Sequence, residues 1–167
     1  MQLPNNKKIY FTSDQHFGAP TPELSFPREQ KFVAWLDEVK GDAEAIFLLG
    51  DLFDFWFEYK TVVPKGFIRV LGKLAEIRDS GIPIYFFVGN HDLWMADYFQ
   101  KELNIPVFHD NQEYTFGDKT FLIGHGDGKG PGDLGYKRMK KIFTNPFFKW
   151  LFRWLHPDIG VKLAQYL

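Results

Sequence analysis

The sequence predicts an α/β protein with a largely parallel sheet covered by helices. Three short runs of β-branched or aromatic residues, at 9–12, 45–49 and 84–88, end at Gly, Asp or Asn, which is typical of buried strands. Helical spacing of apolar residues fills the two intervals between them, at 28–40 and 67–78. Strands that alternate with helices imply right-handed crossovers, so these strands are expected to run parallel.

The remaining elements follow in chain order. A third helix is predicted near residues 93–103. Two further runs, 113–116 and 120–123, flank Gly117-Asp118 and predict a hairpin on a tight turn. From Asp133 onward the pattern is helical, with breaks at Pro146 and Pro157.

Length and composition indicate one globular domain. The chain has 167 residues, 45% of them hydrophobic and 25% charged, which suits one domain with a real core. It has no Cys, so disulfides and thiolate metal sites are excluded. The N-terminal residues lack the apolar stretch of a signal peptide, and no run approaches the roughly 20 apolar residues of a membrane span. We therefore predict a cytoplasmic protein.

The charge is unevenly distributed. Residues 1–128 hold 12 Lys+Arg and 19 Asp+Glu, whereas residues 129–167 hold 8 and 2. The basic part is also rich in aromatic residues: Phe143, Phe147, Phe148, Trp150, Phe152 and Trp154. Two explanations stay open: an anionic partner with an apolar portion, such as a lipid surface, or a basic helix whose aromatic side packs on the domain. The acidic part disfavours nucleic acid as a partner.

Four polar motifs follow predicted strands. They are SDQH at 13–16, GD at 50–51, GNHD at 89–92 and GHGD at 124–127. The first three follow parallel strands, and the fourth follows the second strand of the hairpin. Because ligands bind at the carboxyl ends of strands in open α/β sheets, these loops are expected to converge on one site.

The residue types in these motifs suit a site with two divalent ions. Two ions about 3.5–4 Å apart can hold a phosphate and lower the pKa of a bound water. The candidate ligands are Asp14, His16, Asp51, Asn90 and His125, with Asp51 placed to bridge the ions. Each residue alone has an ordinary structural explanation, but the four motifs together favour metal binding. Asp54, Asp92 and Asp127 are expected to orient ligands, and His109 and His156 lie outside the pattern.

The order D-x-H, GD, GNHD and GH resembles the signature of the calcineurin-like metallophosphoesterases. The resemblance implies a β-sandwich of mixed sheets flanked by helices. It also implies that Asp14 and His16 hold one ion, that Asn90 and His125 hold the other, and that Asp51 bridges them. His91 would donate a proton to the leaving group or stabilise the transition state, a role that suits a pKa near neutrality.

A closer similarity connects GDLFDFWFEY, PIYFFVGNHD and HGD followed by DLGYKRMKKIF with the UDP-2,3-diacylglucosamine pyrophosphatases of lipid A synthesis. It implies hydrolysis of UDP-2,3-diacylglucosamine to lipid X and UMP at the inner membrane surface, where the enzyme is peripheral. Two Mn²⁺ ions are the expected cofactors, with Fe or Zn²⁺ as alternatives. Asn90, His91 and Asp133 would contact the substrate. Residues 1–132 would form the phosphoesterase core and residues 133–167 an incomplete helical lid.

Two departures from these families keep other functions open. Some pyrophosphatases have Arg where His91 stands. The motif GHxH, which supplies one more imidazole to each ion, does not occur in this sequence. We therefore expect the sequence to be a truncated form. The alternatives are another calcineurin-like phosphoesterase acting on a soluble phosphate, or an inactive form that binds a metal or a nucleotide.

Overall fold

The structure is a computed structural model and describes residues 4–127 and 140–166. Seven elements alternate through its first part: β1 (Lys8–Thr12), α1 (Pro22–Val39), β2 (Ala43–Leu48), α2 (Ile68–Asp79), β3 (Ile84–Phe87), α3 (Tyr98–Leu103) and β4 (Val107–Phe108). A hairpin follows, made of β5 (Gln112–Phe116) and β6 (Lys119–Ile123). Residues 140–166, which we call the helical tail, contain helical residues 140–144, α4 (Pro146–Arg153) and α5 (Pro157–Tyr166).

The predicted parallel sheet is confirmed. Its strands lie in the order β1-β2-β3-β4, and each neighbouring pair is parallel. The hairpin forms a separate antiparallel pair. Strand β4 was not predicted, because it has only two residues and shows no periodicity. The arrangement places the carboxyl ends of β1, β2 and β3 side by side, so the loops after these strands are neighbours.

Both faces of the sheet are covered. Ile46 and Leu48 of β2 belong to the core shared with helices α1 and α2, whereas Phe47 faces the hairpin. The Phe47 ring contacts Tyr114 and Phe116 of the hairpin at centroid distances of 5.0 and 5.8 Å. Because β2 is buried on both sides, its sequence reads as a nearly continuous apolar run. The layers are helices, parallel sheet and hairpin, as the predicted sandwich requires.

Two predicted helix boundaries were wrong. Helix α1 begins at Pro22, earlier than the predicted residue 28, because the Thr21 side chain accepts the Leu24 N–H and caps the helix. Helix α3 begins at Tyr98, later than the predicted residue 93. The carboxylate of Glu58 accepts the N–H groups of Asp97 and Tyr98, at 2.8 and 3.0 Å, and so fixes the start of α3 from another loop.

The prolines of the helical tail start helices, in agreement with the predicted breaks. Asn145 caps α4 by accepting the Phe147 N–H at 2.8 Å, and Pro146 follows it. Pro157 is the first residue of α5. Within the described ranges, 4–127 and 140–166, no helix is long and apolar enough to cross a membrane.

Candidate metal centre

Backbone hydrogen bonds join the loops that carry the motifs. The N–H of Asp14 donates to the Gly50 carbonyl at 3.1 Å, and the N–H of His16 donates to the Asp51 carbonyl at 2.9 Å. The N–H of His91 donates to Asp51 Oδ1 at 2.9 Å. The loops after β1, β2 and β3 are therefore tied together around the Asp51 loop.

The backbone of these loops is strained. Asp14, His16 and Asp51 have φ values of 59°, 46° and 53°, in the left-handed region. Non-glycine residues seldom adopt this conformation, and it costs on the order of 1–3 kcal/mol for each residue. Such strain persists where the surrounding structure enforces it, and here it falls on three of the candidate metal ligands.

Two glycines allow the loops to approach closely. A Cβ on Gly89 would overlap Asp51 Oδ1, and a Cβ on Gly50 would lie 2.7 Å from His125 Nδ1 and 2.7 Å from the Gly89 backbone. Glycine at both positions lets the second and third motifs and the His125 imidazole pack around one small volume.

Asp51 stands at the centre of this volume. It is buried, and its Oδ2 lies 3.6 Å from His16 Nε2 and 3.4 Å from His125 Nε2. Burial opposes ionisation, but hydrogen bonds from His125 and from the His91 N–H outweigh it, so the pKa of Asp51 is lowered. Asp51 is therefore an ionised carboxylate placed between two imidazoles.

His125 is oriented by a backbone carbonyl. Its Nδ1 lies 2.7 Å from the Leu49 carbonyl, which can only accept, so Nδ1 carries the hydrogen. Its Nε2 faces Asp51 Oδ2 and Asn90 Oδ1, the latter at 3.2 Å. Asp51 raises the pKa of His125 to about 9 despite the opposing effect of burial, and the Leu49 carbonyl adds to the rise. Two acceptor oxygens thus converge on Nε2, where a positive charge is stabilised.

His16 and His91 share Asp54 as a partner. His16 Nδ1 lies 3.3 Å from Asp54 Oδ1, while its Nε2 points toward Asp51. His91 Nδ1 donates to the Asp54 carbonyl at 2.9 Å, and the two imidazole rings meet edge to face at 4.6 Å. The side chain of His91 is 40% exposed, so its other nitrogen can be reached from solvent.

Two groups of side chains in the described residues have the spacing of a metal site. The ligand atoms of Asp14, His16 and Asp51 lie within 4.8 Å of one another, and so do those of His16, Asp54 and His91. Carboxylate oxygens and imidazole nitrogens are suitable donors for divalent Mn, Fe and Zn ions. The donor set therefore fits a divalent metal.

The structure brings all five predicted ligands together. Asp14 groups with His16 and Asp51, and Asp51 links through His125 to Asn90. Asp133, a predicted substrate contact, lies outside the described residues. The sequence interpretation expected Asp54 to orient ligands, and the contact of Asp54 with His16 agrees with this expectation. It did not predict which imidazoles Asp54 contacts, nor the contact with His91. The second Asp of GDLFD was visible, but no spacing rule placed it beside imidazoles from two other loops.

Asp92 and Asp127 lie at the edges of the site. Asp92 is buried and accepts the N–H groups of Gly89, at 2.7 Å, and Leu52, at 3.0 Å. Burial raises the pKa of Asp92 to about 7. The Asp92 carboxyl thus joins the second and third motifs. Asp127 forms an ion pair with Lys140 of the helical tail at 2.6 Å.

A family model and several curated proteins are similar to this chain, and they agree with one another on a phosphoester hydrolase. The family model described as calcineurin-like phosphoesterase matches residues 7–162. A UDP-2,3-diacylglucosamine hydrolase of Porphyromonas gingivalis is 42% identical over 158 residues, which are 94% of this chain and 60% of the relative. A protein of the same name from Edwardsiella ictaluri is 31% identical, over 92% of this chain and 58% of the relative. The chain spans about three fifths of the length of these curated relatives.

A solved structure supports the fold. A protein of unknown function from Aquifex aeolicus superposes with a TM-score of 0.52, at 20% identity, over 87% of this chain and 75% of the other. At this level of identity the match concerns the architecture alone.

Proposed function

Because the chain belongs to the calcineurin-like phosphoesterase family, we propose that it is a metal-dependent hydrolase that cleaves the pyrophosphate bond of UDP-2,3-diacylglucosamine. The products would be UMP and lipid X, the acylated sugar phosphate. The observation that carries the chemistry is the placement of buried, ionised Asp51 between His16 and His125. The names of the relatives support the substrate.

We assign the five ligands to two divalent ions. Asp14 and His16 would hold one ion, Asn90 and His125 the other, and Asp51 would bridge them, because Asp51 Oδ2 faces both imidazoles. Asp54 would hold His16 in orientation through Nδ1. When bound, the two ions would neutralise charge on the pyrophosphate and activate water. Mn²⁺ is the proposed metal, and Fe or Zn²⁺ would also suit these ligands.

We assign His91 to proton transfer. The Asp54 carbonyl accepts the Nδ1 hydrogen of His91, which leaves Nε2 as the atom that can exchange a proton with the leaving oxygen. The exposure of His91 makes Nε2 accessible to a substrate, and the hydrogen bond fixes the ring. Asn90 and Asp133 remain the other proposed substrate contacts.

The helical tail supports an apolar substrate and a membrane surface as its partner. Trp154 is 74% exposed and Phe147 is 61% exposed, although both are large apolar side chains. In the sequence, residues 129–167 hold six more basic than acidic residues. Exposed aromatic rings on a basic segment suit an anionic lipid surface. We therefore propose that residues 133–167 act as a lid and membrane contact, that residues 1–132 act as the phosphoesterase core, and that the protein acts at the cytoplasmic face of the inner membrane.

One experiment separates the open functions. The purified 167-residue protein is loaded with Mn²⁺, its bound metal is counted, and release of UMP from UDP-2,3-diacylglucosamine in mixed micelles is measured. Two ions with turnover of this substrate support the proposal. Turnover of small phosphodiesters alone points to a soluble substrate. Metal binding without turnover of any phosphoester identifies a binding form and contradicts the proposed activity.

Flotation of the protein with anionic vesicles tests the membrane contact separately. Vesicles containing phosphatidylglycerol are expected to carry the protein upward in a density gradient, and raised salt should weaken this binding. A protein that stays at the bottom with both anionic and neutral vesicles contradicts the membrane proposal.

A further inference from the structure

The helical tail is joined to the rest of the protein through a small aromatic cluster that we call the latch, made of Phe57, Trp94, Phe143 and Phe152. The Phe152 ring lies 4.7 Å from Phe57 and 4.6 Å from Trp94. Trp94 also meets the Phe143 ring edge to face at 5.4 Å, and its indole N–H donates to the Phe143 carbonyl at 2.6 Å. An indole has one donor, so Trp94 uses that donor on the tail.

Two residues of the latch, Phe57 and Trp94, follow the loops of the metal centre in the sequence. Phe57 follows Asp54 by three positions, and Trp94 follows Asp92 by two. Phe57 and Trp94 are joined to each other by an isolated parallel β-bridge. The latch therefore attaches the tail to the point where the second and third motif loops are tied together.

The latch carries much of the attachment of α4, because several large side chains of that helix face solvent. Phe147 stacks on Trp150 at 6.1 Å, and both remain more than half exposed. Phe152 is the α4 residue with ring contacts to the core. A helix held by few rings can be displaced by losing one of them.

A glycine on α5 allows this helix to pack closely against Tyr59 and Phe152. Gly160 is buried, and a Cβ at this position would overlap the Tyr59 hydroxyl and lie 3.1 Å from the Phe152 ring. The Tyr59 hydroxyl is itself buried, and it has no hydrogen-bond partner among the described residues. The approach of α5 to Tyr59 thus depends on the absence of a side chain at 160.

We propose that Trp94 is a positioning residue that, through the latch, fixes the helical tail beside the second and third motif loops, and that turnover of the acylated substrate needs this position. This inference rests on the proposed function for its substrate. It predicts that loosening the latch impairs turnover of a substrate with acyl chains, which uses the tail. We call the four motif loops, at residues 13–16, 50–51, 89–92 and 124–127, the metal loops. Turnover of a small diester, which would use the metal loops alone, should be preserved.

The test compares Gly160→Ala with Gly72→Ala. Both are helical glycines, but a Cβ at Gly72 would meet nothing within 4 Å, so this variant is a matched control. Trypsin cleavage after Arg153, followed by mass spectrometry, reports attachment of the tail without reference to activity. Turnover is measured with UDP-2,3-diacylglucosamine and with bis(4-nitrophenyl) phosphate, which has no acyl chain.

We expect Gly160→Ala to speed cleavage after Arg153 about tenfold and to lower kcat/KM for the acylated substrate about tenfold, with the small diester little changed. Gly72→Ala should behave like the parent protein. Adding Tyr59→Phe to Gly160→Ala removes the overlapping hydroxyl and should restore protection in part. Trp94→Phe keeps a ring but removes the indole N–H, and it should give a smaller change in the same direction.

The outcomes distinguish the two proposals. If the parent protein hydrolyses neither substrate, the proposed function is wrong and cleavage after Arg153 decides the latch by itself. Unchanged cleavage in Gly160→Ala, or an equal loss on both substrates, contradicts the latch. Faster cleavage that Tyr59→Phe reverses supports attachment of the tail by the latch, and a loss of turnover limited to the acylated substrate supports the positioning role.

Discussion

The metal loops and the helical tail differ in which side chains they bury and which they expose. In the metal loops, polar side chains are buried and held by hydrogen bonds from neighbouring loops, as with Asp51 and Asp92. In the helical tail, large apolar side chains such as Trp150 and Trp154 face solvent. Ligands of a metal must stand at fixed distances, which requires burial, hydrogen bonding and tolerated strain. The membrane contact that we propose for the helical tail needs exposed rings more than fixed positions.

The largest effect is expected from Asp51→Asn in the metal loops. The substitution keeps the size of the side chain but removes the charge that faces His16 and His125. If Asp51 bridges the ions as proposed, its loss should lower the proposed Mn²⁺-dependent turnover at least about 10³-fold, because metal ions contribute several kcal/mol of charge stabilisation. Initial rates across a Mn²⁺ titration measure this loss.

The matched control is Asp42→Asn. Asp42 also accepts hydrogen bonds, from Tyr10 and Lys8, but it lies before β2, at the opposite end of the sheet from the metal loops. The turnover of the Asp42→Asn variant should equal that of the parent protein. Normal turnover in Asp51→Asn would show that Asp51 is not a metal ligand, and it would contradict the comparison between the metal loops and the helical tail.

A second large effect concerns stability of the metal loops. Asp92→Ala leaves the buried N–H groups of Gly89 and Leu52 without their acceptor. Each lost partner should cost about 1–3 kcal/mol, so the free energy of unfolding should fall by about 2–6 kcal/mol. Urea unfolding in the presence of a chelator measures this without metal binding. The control is Asp79→Ala, at an exposed position, whose free energy of unfolding should stay within about 0.5 kcal/mol of that of the parent protein. An equally small change in Asp92→Ala would mean that the hydrogen bonds of Asp92 do not stabilise the metal loops.

The helical tail should show the reverse behaviour, with binding affected and stability preserved. Replacing both Trp150 and Trp154 by Ser removes exposed rings, so affinity for anionic vesicles should fall about tenfold to a hundredfold. The urea midpoint should stay unchanged, because neither side chain is buried. Leu122→Ser, at a position 65% exposed on the hairpin, is the control for a general loss of apolar surface. If Leu122→Ser weakens binding as much as the double variant, the tail is not a specific membrane contact.

Much of the fold could be predicted because its strands are apolar runs that end at polar loops. The strands β1, β2 and β3, the hairpin and the convergence of five candidate ligands all follow from residue type and order. Local patterns could not give the start of α3, because the carboxylate of Glu58 comes from a distant loop. The partnership of Asp54 with His16 and His91 was hidden for the same reason, since it depends on three loops meeting in space.

The smallest expected effect is the pH dependence of the metal-free protein. Asp51 and the Leu49 carbonyl raise the pKa of His125 from 6.5 to about 9. The folded state therefore binds more protons than the unfolded state between these pH values, so the stabilisation is complete below about pH 6.5 and is lost as pH rises to about 9.

With a chelator present, the Tm should fall by a few degrees across this range. Mn²⁺ should reduce that fall, because His125 and Asp51 would hold the ion as the proposed ligands and the ion would compete with the proton for them. His125→Gln should flatten the profile, whereas His156→Gln, at an exposed site in the tail, should leave the slope intact. Equal slopes in the parent and in His125→Gln would show that the electrostatic field of the metal loops does not act on His125.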